Sequence, residues 1–152
     1  MTDFLFGLTF LLAAPVWLLM IFAPAWRWTA RVAASPLTVL PILVVYTALA
    51  VPVLPELWTL VSEPSLERLQ DLVAIPDGAA AVWAQIIAWD LLIGQWIFLE
   101  ARRLGIHPLV MGPLLVFTIL LSPFALPVFL VLRAVKLRTA RARPVPAGVP
   151  SP

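Results

Sequence analysis

An aspartate stands in the middle of an otherwise lipid-compatible run, Trp83-Ala-Gln-Ile-Ile-Ala-Trp-Asp-Leu-Leu-Ile-Gly-Gln-Trp-Ile97. A carboxyl at mid-membrane costs on the order of 3 kcal/mol on insertion scales, so Asp90 is expected to face a bundle interior and to be protonated, paired or hydrogen-bonded. The chemistry this allows is that of one proton donor or acceptor beside an apolar substrate, which makes Asp90 the candidate catalytic residue. A helix-register role is the plainer alternative. At about 100° per residue, Trp83, Asp90 and Gly94 fall within roughly 40° of one another, and Gln85, Trp89 and Trp96 form a second stripe. Trp83, Gln85, Trp89, Gly94 and Trp96 are therefore candidate ligand-binding residues. Gly94 would let another backbone approach, and Trp89 and Trp96 would offer stacking surface to a long conjugated or isoprenoid chain. Polar partners for Asp90 at similar depth are Tyr46, Thr47, Thr118 and Ser122, the last two also counted as ligand-binding. Cysteine is absent and His107 is the only histidine, so neither a thiolate nor a histidine metal cluster is expected. No phosphate-cradling loop or nucleophile elbow occurs, and no cofactor is expected.

The elements that must position these residues follow from composition. With 62% hydrophobic and 12% charged residues, the chain carries more apolar surface than one soluble core can hide. An all-α integral membrane bundle is expected, with four transmembrane helices over about 4–23, 36–55, 79–100 and 107–132, each near the twenty residues that a bilayer core requires. Residues 1–135 form one such domain in this reading. Pro15, Pro41, Pro113, Pro123 and Pro127 fall inside the apolar windows, where each removes a donor and frees a carbonyl. Kinks are expected there, and freed carbonyls could line a polar spot at mid-depth.

Between the second and third windows, Leu66, Leu69, Leu72 and Val73 recur at helical spacing opposite Glu67, Arg68, Gln70 and Asp71. This predicts a short interfacial helix, capped by Ser62 or Glu63 with Pro64 in its first turn and followed by a turn at Asp77-Gly78. Trp17, Trp26, Trp28 and Trp58 read as interface belt residues, and His107 as a cap or headgroup contact at the start of the fourth helix. Arg27, Arg31, Arg102 and Arg103 are expected to meet lipid headgroups. Residues 136–152 read as a basic, Pro-rich, disordered tail suited to a lipid surface and not to nucleic acid. Four spans put both termini on one side with Arg68 and the basic tail, and the positive-inside count makes that side cytoplasmic in a cell-membrane, multi-pass protein.

Several short runs together resemble a known family: Pro24-Ala-Trp-Arg-Trp-Thr-Ala-Arg31 with Ser35-Pro36, Ser65-Leu-Glu-Arg-Leu69, Ala88-Trp-Asp-Leu-Leu-Ile-Gly94, Glu100-Ala-Arg-Arg-Leu-Gly-Ile106 and Leu114-Leu115. In this order, over about residues 20–133, they look like the abscisic-acid-deficient-type membrane proteins, the group that includes plant neoxanthin synthase. The arginine-rich, alanine- and proline-rich composition fits a bacterial member. The resemblance implies four membrane helices, with Asp90 and Gly94 matching the family's Phe-Asp-Leu-x-x-Gly signature and Arg102 and Arg103 its basic residues after the third span. It also implies a carotenoid-related activity, since the plant members are tied to conversion of violaxanthin to neoxanthin. This chain departs from the pattern where the family reads Trp-x-His-Tyr, having Trp83, Gln85 and Ile86. Ser122-Pro123-Phe124-Ala125 replaces Gly-Pro-x-Gly, and Phe129 replaces a tyrosine.

Opening an epoxide with proton loss needs both an acid and a base. Asp90 can supply one, whereas Gln85 cannot titrate. Two functions follow as expectations. One is carotenoid or isoprenoid binding, or an isomerase-like activity implied by resemblance alone; the other is a non-enzymatic subunit that meets a membrane protein partner, or a second copy, through an Asp90/Gly94 seam.

Overall fold

In lipid a chain satisfies its backbone donors and acceptors within a helix, and the apolar windows of this sequence are helical apart from local breaks. The computed structural model describes residues 1–141 and contains no strand among them; the last eleven residues of the expected disordered tail lie outside that range. The order is α1 (Thr2–Phe22), α2 (Arg27–Ala34), α3 (Leu40–Ala50), α4 (Leu54–Ser62), α5 (Leu66–Ala74), α6 (Pro76–Arg103) and α7 (Pro108–Arg141). Short 3-10 turns at Pro36–Val39 and Val51–Val53 join α2, α3 and α4. Four segments are long and apolar enough to cross a membrane: Thr2–Phe22, Pro36–Ser62, Pro76–Arg103 and Pro108–Thr139. The all-helical membrane bundle expected from composition is what the chain forms.

The central element is α6, and its contacts set the register of the rest. Thr2 Oγ1 donates to Asp77 Oδ1 at 2.5 Å, Phe6 stacks on Trp83 at 5.2 Å, Trp17 covers Gly94, and Arg102 Nη1 donates to the Pro24 carbonyl. Thus α1 runs parallel to α6 along its whole length. The second span runs the other way: Gln95 Nε2 donates to Thr38 Oγ1 at 2.5 Å, while Val45, Leu49 and Ala50 pack with Ala80, Ala81 and Ala84 near the opposite end. Asp90 makes no hydrogen bond to Tyr46 or Thr47 in this register, and the Thr47 hydroxyl bonds back to the Leu43 carbonyl of its own helix.

The connections differ in detail from the expected ones. The interfacial helix α5 is present, but its cap is Ser65, whose Oγ accepts from the Arg68 amide at 3.2 Å. Ser62 ends α4 instead, because Pro52 is absorbed by a 3-10 turn and the second apolar run stays helical beyond residue 55. Asp77 and Gly78 form no turn; Pro76 opens α6, where a missing N–H costs nothing. Gly78 is needed there, since a Cβ would meet the Leu72 carbonyl oxygen of α5 at 2.1 Å. Arg27 and Arg31 lie on a short helix, α2, whose Thr29 and Ala33 are buried.

The last helix departs furthest from a straight rod. At Leu121 the backbone leaves helical geometry (φ −149°, ψ 60°). Two residues later Pro123 lacks the N–H that the Ile119 carbonyl would use, and Ser122-Pro123 is itself a helix-opening pair. Residues 108–120 and 122–141 are therefore two arms. The first starts beside the far end of α6, where Pro108 and Met111 line one pocket with Phe98 and Arg102. Along the second arm, Ser122 meets Asp90, Phe129 meets Trp96 at 5.3 Å, and Arg133 Nε meets Glu100 Oε1 at 2.8 Å. Those three contacts advance in the same direction on both helices, so the second arm runs back toward the end from which the first arm came. The core divides accordingly. One buried cluster gathers α1, α6 and both arms of α7; the other joins α1, α3 and the start of α6.

Candidate functional site

Asp90 lies at the fold point of α7. Its Oδ1 accepts the Ser122 hydroxyl at 2.5 Å, and Ser122 itself is buried. Of the four polar partners named from the sequence, the structure brings Ser122 to Asp90. Thr118 is fully buried, but its hydroxyl donates to the Leu114 carbonyl at 2.9 Å within its own arm. The break has an electrostatic consequence. A helix end leaves backbone groups without intrahelical partners, and here the end of one arm and the start of the next meet at the depth of a carboxyl. The positive end of the second arm's dipole begins at Ser122, a position that favours the oxygen-rich neighbour it has. Asp90 is tolerable in the bundle because one hydroxyl and one helix start meet it there.

The surroundings of the carboxyl are apolar and partly open. Asp90 is half-buried, whereas Trp89 beside it is 61% exposed and Ile86 one turn away is 45% exposed. The second arm covers the α6 face from Asp90 to Glu100. From Asp90 back toward Pro76 neither arm covers this face, and Ile86 and Trp89 are exposed there beside the Asp90–Ser122 pair. Trp83 lies two turns along, stacked on Phe6, and its buried indole N–H has no acceptor among the described residues. Gln85, one turn before Trp89 on the same stripe, is half-buried.

Other expected site residues are engaged within the fold. Gly94, expected to admit a backbone or a ligand, admits the Trp17 ring: a Cβ there would lie 2.1 Å from Trp17 Cη2. Trp17, expected in the interface belt, is correspondingly buried at 4% exposure. Trp96 does not stack with Trp89; it meets Phe129 edge to face at 85°. Gln95 is the polar residue that sequence reasoning missed. Buried at 4% exposure, it ties α6 to the start of the second span through Thr38, whose hydroxyl donates to the Ser35 carbonyl at 2.9 Å. A hydrogen-bonding amide next to Gly94, deep in an apolar run, was the available signal.

At the far end of the bundle the basic residues split into two roles. Arg102 holds the Pro24 carbonyl and lies 5.6 Å over Phe98, so it staples the α1–α2 turn to α6. Arg27 and Arg31 flank the Trp28 ring at 5.5 and 4.8 Å, and Arg103 is largely exposed, 3.5 Å from Glu100. Among the described residues no group of three or more metal-ligating side chains comes together.

Comparison with known proteins comes down on one family. A family model described as ABA4-like, ABA DEFICIENT 4-like, matches residues 4–129, a stretch that contains Asp90, Ser122 and both arms of α7 as far as Phe129. No curated protein and no solved structure matches the chain.

Proposed function

Because the chain belongs to the ABA4-like family and is a multi-pass membrane protein built of apolar helices, we propose that it binds a carotenoid or other long isoprenoid from within the bilayer. The observation that carries this reading is the Asp90–Ser122 pair, a half-buried carboxyl held by a buried hydroxyl beside the exposed Ile86 and Trp89. A polyene lying along this face of α6 would meet apolar side chains along its length, the Trp89 indole for stacking and one polar contact for an oxygenated end group. Binding is favoured over turnover because acid and base are both needed for epoxide isomerisation, and Asp90 is the one titratable group at this depth. Gln85 stands where the resembled family carries its histidine motif and cannot exchange a proton.

The accessory-subunit reading is less favoured. Gly94 is covered by Trp17, which takes the small-residue half of the Asp90/Gly94 seam into the chain's own packing and counts against that reading. Titration of the detergent-purified protein with a C40 polyene tests the binding reading. Tryptophan fluorescence should be quenched saturably and the polyene should acquire induced circular dichroism, with affinity at least tenfold weaker in Asp90→Ala. Unsaturable quenching that is identical in both proteins would show partition into detergent alone and sink the reading.

A further inference from the structure

We propose that the Pro108–Arg141 segment enters and leaves the membrane on the same side, and that the basic face thereby assembled binds anionic phospholipid headgroups. The geometry begins with two pins. Asp90 and Glu100 are separated on α6 by about 15 Å of helix rise, and their partners Ser122 and Arg133 by about 16 Å in the same direction. A straight α7 would carry Arg133 roughly 37 Å from Pro108, yet Arg133 reaches Glu100, within one turn of the end of α6 that Pro108 adjoins. The arm 108–120 rises only about 20 Å, short of the roughly 30 Å core of a bilayer. Broken backbone at such a depth is tolerated where protein buries it, and Ser122 and Ala125 at the turn are buried.

Charge supplies an independent argument. With the hairpin, one side of the bundle carries Asp3, Glu56, Glu63, Glu67, Asp71 and Asp77 with Arg68 as its single basic residue. The opposite side carries Arg27, Arg31, Arg103, Arg133, Lys136 and Arg138, beside the Arg102 staple, with Glu100 as its single acid. Four full crossings would leave only a small excess of basic residues on the side of the termini; the hairpin divides them almost completely, as the positive-inside rule requires. The hairpin thus places the C-terminal arm on the cytoplasmic side and the start of α1 on the other, in place of the shared side expected from four spans. On the basic face, Glu100 is met by Arg133 and Arg103, Arg27 and Arg31 flank an exposed Trp28, and Lys136 and Arg138 are exposed. An indole between guanidinium groups at a helix start, beside further free cations, is the chemistry of an anionic headgroup layer.

Because the chain lacks cysteine, single-cysteine variants Asp71→Cys, His107→Cys and Thr139→Cys report sidedness directly. In sealed, uniformly oriented vesicles, a membrane-impermeant maleimide should label His107→Cys and Thr139→Cys from one side and Asp71→Cys from the other. Labelling of Thr139→Cys together with Asp71→Cys would overturn the hairpin and with it the single basic face. For the headgroup, dioleoylphosphatidylglycerol added to detergent-purified protein should raise Tm more than dioleoylphosphatidylcholine does. The difference should vanish in an Arg31→Gln, Lys136→Gln, Arg138→Gln variant. Equal shifts from the two lipids would overturn headgroup binding.

Discussion

Replacing Gly94 with leucine should prevent the bundle from assembling, whereas the same replacement at Gly112 should leave it folded. At Gly94 even one added carbon falls 2.1 Å from Trp17 Cη2 and 2.5 Å from its Cζ3. The ring cannot step aside cheaply, because Trp17 is buried in the cluster that also holds Met20, Leu91 and Phe98. Overpacking of this kind costs about 1–3 kcal/mol for a single added methylene, and leucine adds four carbons against an aromatic wall. In lipid the loss is felt fully, since helices associate through close packing and not through expulsion from water. Gly112 and Gly7 have nothing within 4 Å of an added Cβ, so they serve as controls. Thermal unfolding in detergent, with size-exclusion recovery as a second readout, distinguishes the outcomes; an unchanged Tm for Gly94→Leu would show that the α1–α6 contact is not as drawn.

The second large effect is expected at Phe129. This side chain is fully buried on the second arm of α7 and meets Trp96 edge to face. Truncating a buried phenylalanine to alanine costs about 3–5 kcal/mol in soluble cores. Here the packing and cavity terms remain while the transfer term is weakened by lipid, so about 3 kcal/mol is expected. Phe124, on the same arm but 64% exposed, should tolerate alanine with little change in Tm. Were α7 a straight rod, Phe129 would lie far from Trp96 and the two variants would behave alike. The contrast therefore tests both the packing and the direction of the arm.

Much of the fold was legible because hydropathy and length report helices directly. The four apolar windows and the amphipathic Leu66–Ala74 helix follow from residue type and spacing, whereas Ser122 was one of four polar residues that could have met Asp90. What the sequence conceals is direction. Residues 107–132 have the length of one crossing, and hydropathy is the same for a rod and for a hairpin; only Ser122-Pro123, a helix-opening pair in mid-run, hints that the segment starts anew. Tryptophan misleads in a related way. Trp17 and Trp28 look alike as belt residues, yet Trp17 is buried because Gly94 opposite it leaves a ring-sized gap. Gln85 and Gln95 are likewise alike in type, and the one with a tertiary partner is the one that faces Thr38. The far-end arginines were legible as basic residues but not as ties: Arg102 and Arg133 meet Pro24 and Glu100, partners 78 and 33 residues away in the chain.

The binding account turns on Asp90, and Asp90→Asn is the conservative way to question it. Asparagine keeps an oxygen to accept from Ser122, so the fold should persist while the carboxyl's own contribution is removed. Protein purified from its native membrane, with an Asp90→Asn copy prepared alongside, should be compared by absorption spectrum and by mass analysis of a solvent extract. The account predicts a bound polyene in the unaltered protein, with its absorption shifted or lost in the variant at unchanged Tm. A colourless protein whose extract holds only bulk phospholipid, the same for both copies, would contradict it.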